Sequence, residues 1–222
     1  MALDTDSITW RYLPFGEAAL LVEGTPATPQ VNRYVLALAD QLAEAALPGV
    51  SAAVPAINSL LVSFDPLRLS LDALRAEVET LLRHTTPAPA RPARVVEVPV
   101  QFGGEAGPDL EDVAQLLALA PCEVVAVLCG SVFRVMMIGF APGYPYIGPL
   151  PEQLNVPRRS TPRSAVPPGS VAIAAGLAGI YPAKLPGGWH LVGRTNVRLF
   201  DPHAEPPALL RAGDGVQFTP RT

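Results

Sequence analysis

Between Gly139 and Gly188 the chain places ten prolines and eight glycines in fifty residues. Proline has no backbone N–H to donate and breaks helix interiors, and glycine weakens any regular element it sits in. This segment therefore excludes long helices and leaves short strands joined by fixed turns. Short strands present many unpaired edges, and a closed or nearly closed β-barrel removes them. The apolar run Val132–Gly139 and the segments Ser170–Ala174, Trp189–Phe200 (with a bend) and Gly215–Thr219 supply strands for such a barrel.

The rest of the chain reads differently. Ile8–Leu13 and Ala18–Glu23 are strand-like around Pro14 and Gly16. A helix follows, with Thr28 as cap, Pro29 in its first turn and Val31, Val35, Leu38 and Leu42 on one face. Pro48–Gly49 stops it. Val50–Val54 and Leu60–Phe64 are strand-like, with Asn58–Ser59 near the turn, and Ser70 caps a second helix that turns Leu74, Val78, Leu81 and Leu82 inward. This is a ββαββα order, a sheet with helices on one face. Residues 87–94 are rich in Pro, Ala and Arg without periodicity and read as a linker. The expected organisation is an α/β domain over 1–86, the linker 87–94 and a mostly β barrel domain over 95–222. The second domain opens with the strand Val95–Val100. Asp109, with Asp112 at the capping-box position, is expected to cap a helix carrying Leu110, Val113, Leu116 and Leu117, and Pro121 starts another that runs to about Leu128.

Of the 222 residues, 49% are hydrophobic and 16% charged, which allows a sizeable core and argues against disorder. A net charge of −4 gives no electrostatic footprint for nucleic acid. No apolar run approaches the ~20 residues that span a bilayer. The N-terminus lacks the basic flank and apolar stretch of a signal peptide. Cys122 and Cys129 fall on one expected helix, where their Cα atoms stand ~10 Å apart, too far for a disulfide. A reducing, cytoplasmic setting fits these cysteines.

Several chemistries lack their motifs. No GxxxxGK[ST] phosphate loop, HExxH, CxxC or GxSxG pattern occurs, and His84, His190 and His203 are scattered, so no metal site is expected. The positive signal is charge. From Gln153 to Phe200 there is no acidic residue, yet there are Arg158, Arg159, Arg163, Lys184, Arg194 and Arg198. Guanidinium forks suit carboxylate and phosphate, which makes Arg158, Arg163, Lys184 and Arg194 candidates for an anionic substrate, against the alternative of a solvated or partner-facing basic surface. In a straight strand Arg194, Asn196 and Arg198 share one face, against the alternative that Asn196 is a turn residue and breaks it. The loop Gly139–Gly148 holds Pro142, Gly143, Tyr144, Pro145 and Tyr146. Its prolines fix the backbone and its tyrosines offer flat amphipathic surfaces, so it lines a cleft or an interface, or else is a barrel corner. Gly187–Gly188–Trp189 reads as a tight turn entering a strand.

These motifs resemble a known family. The stretches Gly107-Pro108-Asp109-Leu110, GFAPGYPYIGPLPEQL from Gly139, PRRSTPRSAVPPGSVAI from Pro157, GIYP from Gly179, PGGWHLVGRT from Pro186, LFDP from Leu199 and LLRAGDGVQF from Leu209 resemble, in order and spacing, the family of 5-oxoprolinase B subunits. That family also covers allophanate hydrolase subunit 1 and the KipI-type kinase inhibitors. The N-terminal half matches more loosely, through Gly16-Glu17-Ala18 and the Asn58 turn. The resemblance implies a cyclophilin-like barrel after the α/β domain. It implies a role in a heteromeric, ATP-dependent complex that opens 5-oxoproline to glutamate, with homologues of the 5-oxoprolinase C subunit (a sister barrel) and A subunit as partners. ATP enters at the level of the complex. The resemblance extends the candidate set to Tyr181, Gly187, Gly188 and Trp189, in a site or interface loop. Where the family usually has His-Ser-Ser and Gln-Thr-Gly, this chain has Cys129-Gly130-Ser131 and Leu177-Ala178-Gly179. Two further roles occur within the likeness: inhibition of a histidine kinase, and a component of an allophanate hydrolase or urea carboxylase. On this reading, Arg163→Ala lowers the activity of the complex without preventing its assembly.

Overall fold

The computed structural model describes residues 8–221. The expectation about a signal peptide falls largely on residues outside that range. By compactness the chain divides into two units, with the division between Ala90 and Arg91.

The first unit runs β1 (Thr9–Pro14), β2 (Ala19–Thr25), α1 (Pro29–Ala45), β3 (Val50–Pro55), β4 (Ser59–Phe64) and α2 (Leu71–His84). Its sheet is antiparallel in the order β1-β2-β4-β3. Alternation sets the buried face: Leu20 and Val22 on β2 and Leu60, Val62 and Phe64 on β4 meet Val31, Val35, Leu38 and Leu42 of α1 and Leu74 and Val78 of α2. Each fully buried aliphatic side chain contributes about 1.5–3 kcal/mol. Both expected caps form, Val31 N donating to Thr28 Oγ1 at 3.2 Å and Ala73 N to Ser70 Oγ at 3.2 Å. The Asn58 turn is tied to β2, its Nδ2 donating to Gly24 O at 3.1 Å.

The second unit holds β5 (Val95–Phe102), α3 (Leu110–Leu117), α4 (Pro121–Cys129), β6 (Phe133–Ile138), β7 (Pro145–Gly148), β8 (Arg163–Val166), β9 (Ser170–Ala174), β10 (Leu177–Ile180), β11 (Leu185–Gly187), β12 (His190–Arg194) and β13 (Gly215–Pro220). Seven strands close a barrel in the order β10-β7-β6-β13-β5-β12-β9. All neighbours are antiparallel except β13 and β5, which run parallel from Gly215↔Val95 to Pro220↔Val100. The barrel is filled by Val98, Val100, Ile147, Val171, Ile173, Val192, Val216 and Phe218, and α3 and α4 add Leu110, Val113, Val124 and Leu128. A second cluster forms from the alternate residues of the same strands: Ala172 and Ala174 of β9 and Leu191 of β12, with Tyr144, Val166, Tyr181 and Trp189. Over this face lies a two-stranded ribbon of β8 and β11.

Two expectations need correction. The strand read as Trp189–Phe200 ends at Arg194, where Val197 N bonds Thr195 Oγ1 at 3.2 Å in a turn, so Arg194, Asn196 and Arg198 do not share a strand face. Asp109 stands at the N-terminus of α3 but makes no side-chain cap bond, because its carboxylate is occupied elsewhere. No single helix among the described residues is long and apolar enough to cross a membrane.

Candidate functional site

The cleft is a consequence of glycine. β6 and β7 form a hairpin whose tip folds back on itself, Gly139 N donating to Tyr144 O and Tyr144 N to Ala141 O. This turn drops the Tyr144 ring onto the barrel. A Cβ at Gly179 would collide with the Tyr144 hydroxyl, and one at Gly187 with the Tyr181 hydroxyl. Only bare backbone lets the two tyrosines lie that deep. Tyr144 is the hub of the ring cluster: its centroid lies 5.1 Å from Tyr146, 5.1 Å from Tyr181, 5.4 Å from Phe140 and 6.4 Å from Trp189. The contacts with Phe140, Tyr181 and Trp189 are edge-to-face, the arrangement that aromatic quadrupoles favour.

Above the rings is an open cleft of about 300 Å³, walled by Phe140, Arg158, Arg159, Pro162, Pro186, Gly187 and Gly188. One wall is a strap over residues 157–166, held at three points. Arg159 N donates to Gly188 O at 2.8 Å. His190 Nε2 lies 3.0 Å from Pro157 O, and since a carbonyl only accepts, the proton is on Nε2. The third point is Asp109, only 3% exposed. It accepts from both terminal nitrogens of Arg163 at 2.8 and 2.7 Å, from Arg159 at 3.0 Å and from Leu191 N at 2.7 Å. Burial by itself would raise the Asp109 pKa, but the Arg163 bond, the Leu191 N–H and the two positive charges outweigh it and hold the carboxyl below its ordinary range.

This changes the charge reading. Asp109 reaches in from outside the segment without acids and supplies the counter-charge of Arg159 and Arg163. Arg163, an anion-site candidate, has its fork closed on that carboxylate, and Arg198 pairs with Asp201 at 2.8 Å. Lys184 is exposed and outside the cleft. Among the described arginines of the segment, Arg158 and Arg194 keep no carboxylate within ion-pair distance, and only Arg158 of these two lines the cleft. Arg194 lies in a separate depression with Gln101, Asn196 and Arg221. Of the loop candidates, Tyr144, Tyr146, Tyr181, Gly187, Gly188 and Trp189 meet at the cleft, whereas Pro142, Gly143 and Pro145 shape the hairpin and do not line it. Gly143 takes a φ of +76, and a Cβ there would stand 2.8 Å from Phe200 Cβ.

Asp109, Arg159, His190 and Phe140 were missed by the sequence reading as site residues. Adjacent arginines in a segment without acids draw a carboxylate from elsewhere in the fold where they are partly buried, as Arg159 and Arg163 do, and no local pattern marks Asp109 as its source.

The hydroxyls are tuned by burial. Burial, then the neighbouring Tyr181 and Tyr146, pushes the Tyr144 pKa far up, so its O–H donates to Tyr181 and stays protonated. Burial also raises Tyr181, although accepting that bond partly opposes the rise. Tyr181 thus accepts from Tyr144 and retains its own proton for an acceptor. The site offers an aromatic floor, an un-ionised phenol and one unpaired guanidinium. No cluster of metal-ligating side chains occurs among the described residues.

A family model described as carboxyltransferase domain, subdomain C and D, matches residues 10–210. Over 125 residues the chain is 50% identical to the B subunit of 5-oxoprolinase from Bacillus subtilis (strain 168), a match covering 56% of this chain and 52% of that protein. The chain thus spans about half the length of the curated relatives it matches. Among solved structures it is similar to TTHA0988, with a TM-score of 0.78 and 39% identity over 97% of this chain and 40% of that one. It is also similar to the conserved uncharacterized protein PH0987 from Pyrococcus horikoshii, with a TM-score of 0.56 and 33% identity over 95% of this chain and 97% of that one.

Proposed function

The chain belongs to the carboxyltransferase domain, subdomain C and D, family, and from that membership we propose that it is the B subunit of an ATP-dependent 5-oxoprolinase, binding the cyclic amide in the aromatic cleft. The Bacillus relative, half identical over the matched residues, bears that same name. The observation that carries the reading is the unpaired Arg158 at the rim of an aromatic cleft of about 300 Å³, the lower end of the size range of small-molecule sites. 5-Oxoproline is a flat five-membered lactam bearing one carboxylate. Its ring would lie against Tyr146 and Trp189, and its carboxylate on Arg158. The un-ionised Tyr181 would donate to the lactam oxygen, where negative charge grows as the amide is activated.

The same reading assigns a division of labour. ATP is the phosphate donor at the level of the complex, and homologues of the 5-oxoprolinase C subunit, with its sister barrel, and A subunit are the partners. The structural relative TTHA0988 supports a need for a neighbour, since the equivalent of this chain makes up 40% of its longer chain. A reducing cytoplasmic compartment is part of the proposal, in keeping with the free Cys122 and Cys129.

The test is to co-express the chain with homologues of the other two 5-oxoprolinase subunits, purify the complex and assay ATP-dependent glutamate release from 5-oxoproline. Arg158→Ala is expected to assemble normally and to raise KM for 5-oxoproline by about tenfold or more, the weight of one charge-assisted contact. An unchanged KM would remove the substrate from this cleft. A wild-type complex that releases no glutamate, with the chain instead co-purifying with a histidine kinase, would replace the enzyme reading by the inhibitor one.

A further inference from the structure

Arg194, like Arg158, keeps no carboxylate partner among the described residues, but it is not at the cleft. It ends β12, the strand that begins just after Trp189, five residues and roughly 15 Å away along an extended chain. There it shares a depression of about 400 Å³ with Gln101, Asn196 and Arg221. Both arginines rise from barrel strands or their ends. Arg194 pairs across the sheet with Gln101 of β5 on one side and Ser170 of β9 on the other. Arg221 follows β13 directly and is fixed by its backbone N–H on Val100 O at 2.8 Å. The stem of Arg194 passes beside Gly169, where a Cβ would stand in ordinary contact with its Cγ at 3.5 Å. Its Nε is buried and without a hydrogen-bond partner.

We propose that this depression is a second anion site, distinct from the aromatic cleft, which takes a phosphate-type dianion between Arg194 and Arg221. A guanidinium partly withdrawn from water with no counter-charge is costly, and an anion that neutralises it recovers that cost. Two guanidinium groups, with no acid among the described residues that line the depression, favour two negative charges over one, which selects phosphate over a simple carboxylate. Gln101 and Asn196 add side-chain amides that can donate to the remaining oxygens. The strands fix where both arginines start, so little order need be imposed on binding.

The inference is independent of the substrate placed in the cleft, and its test uses the chain alone. Calorimetric titration with inorganic phosphate at low ionic strength should show one saturable site. Arg194→Gln and, separately, Arg221→Gln should weaken it at least tenfold, while Lys184→Gln, which removes a charge outside both depressions, leaves it unchanged. Circular dichroism of each variant verifies folding, and Arg221→Gln, at an exposed position beyond the last strand, stands in if Arg194→Gln does not fold. ADP and inorganic phosphate are titrated in parallel. Tighter binding of ADP would identify a nucleotide as the source of the phosphate group, and equal or weaker binding would identify free phosphate. No saturable binding, binding untouched by both arginine variants, or glutamate binding as tightly as phosphate would each overturn the proposal.

Discussion

Asp109 binds two arginines and a strand N–H with one carboxylate, at 3% exposure. Asp109→Asn keeps the shape but leaves Arg159 and Arg163, each 28% exposed, without a counter-charge. The expected loss is about 3 kcal/mol of stability at neutral pH, the lower end for breaking a buried ion pair, since both arginines reach water. Because the folded-state pKa lies below the ordinary 3.8, this contribution is complete above that value and disappears as pH falls through the depressed folded value. Urea unfolding of the wild type and Asp109→Asn should therefore differ most near neutrality and converge in acid; a gap that persists into strong acid would deny the carboxylate this role. The residue type was visible in the sequence and its work was not. Asp before an apolar period reads as a helix cap, and nothing local reveals a partner fifty-four positions away. Lys184 shows the opposite limit: the only lysine in the chain stood out, yet it is exposed and does not line the aromatic cleft.

At the level of elements, the cleft depends on hairpin and strap meeting over two glycines. Gly179→Ala would drive a methyl group into Tyr144, whose ring is boxed in by Tyr146, Tyr181 and Trp189. The expected cost is about 1–3 kcal/mol of stability, with a change in Trp189 fluorescence as the rings shift; an unperturbed spectrum and midpoint would show the cluster has room. The aromatic cluster also sets an alkaline limit. Tyr144 and Tyr181 have folded-state pKa values raised above the ordinary 10.0. Their contribution is therefore complete below 10.0 and is lost as pH rises further. Absorbance at alkaline pH should show these two tyrosinates forming later in the folded protein than in the unfolded chain, and coincident titration of the two states would deny the burial. Elements with strong alternation or a 3.6-residue period, such as β4 and α1, were legible from the sequence because burial on one face dictates their pattern. The ribbon of β8 and β11 was not. Arg163–Val166 and Leu185–Gly187 are too short and proline-bound to carry a period, and their pairing depends on the barrel face beneath them.

For the whole molecule, each unit has its own core and its own tryptophan, Trp10 in the first and Trp189 in the second. Leu38 is fully buried in the first core, and Leu38→Ala should cost about 2–5 kcal/mol, read from Trp10 in a Trp189→Phe background. An unmoved Trp10 midpoint would contradict the packing of α1 on its sheet. The alternation of a ββαββα unit with a Pro- and Gly-rich barrel was readable because composition changes so sharply between them. Strand order was not, since β13 joins β5 across the entire unit. That pairing, Gly215↔Val95 through Pro220↔Val100, is the single parallel ladder in the barrel. As the chain leaves the ribosome, β5 emerges ahead of the other barrel strands and must wait with both margins unsatisfied until β12 and β13 are synthesised. The barrel then closes in one late, long-range event. During that wait the nascent chain is most open to chaperone capture, or to borrowing the equivalent strand from another copy.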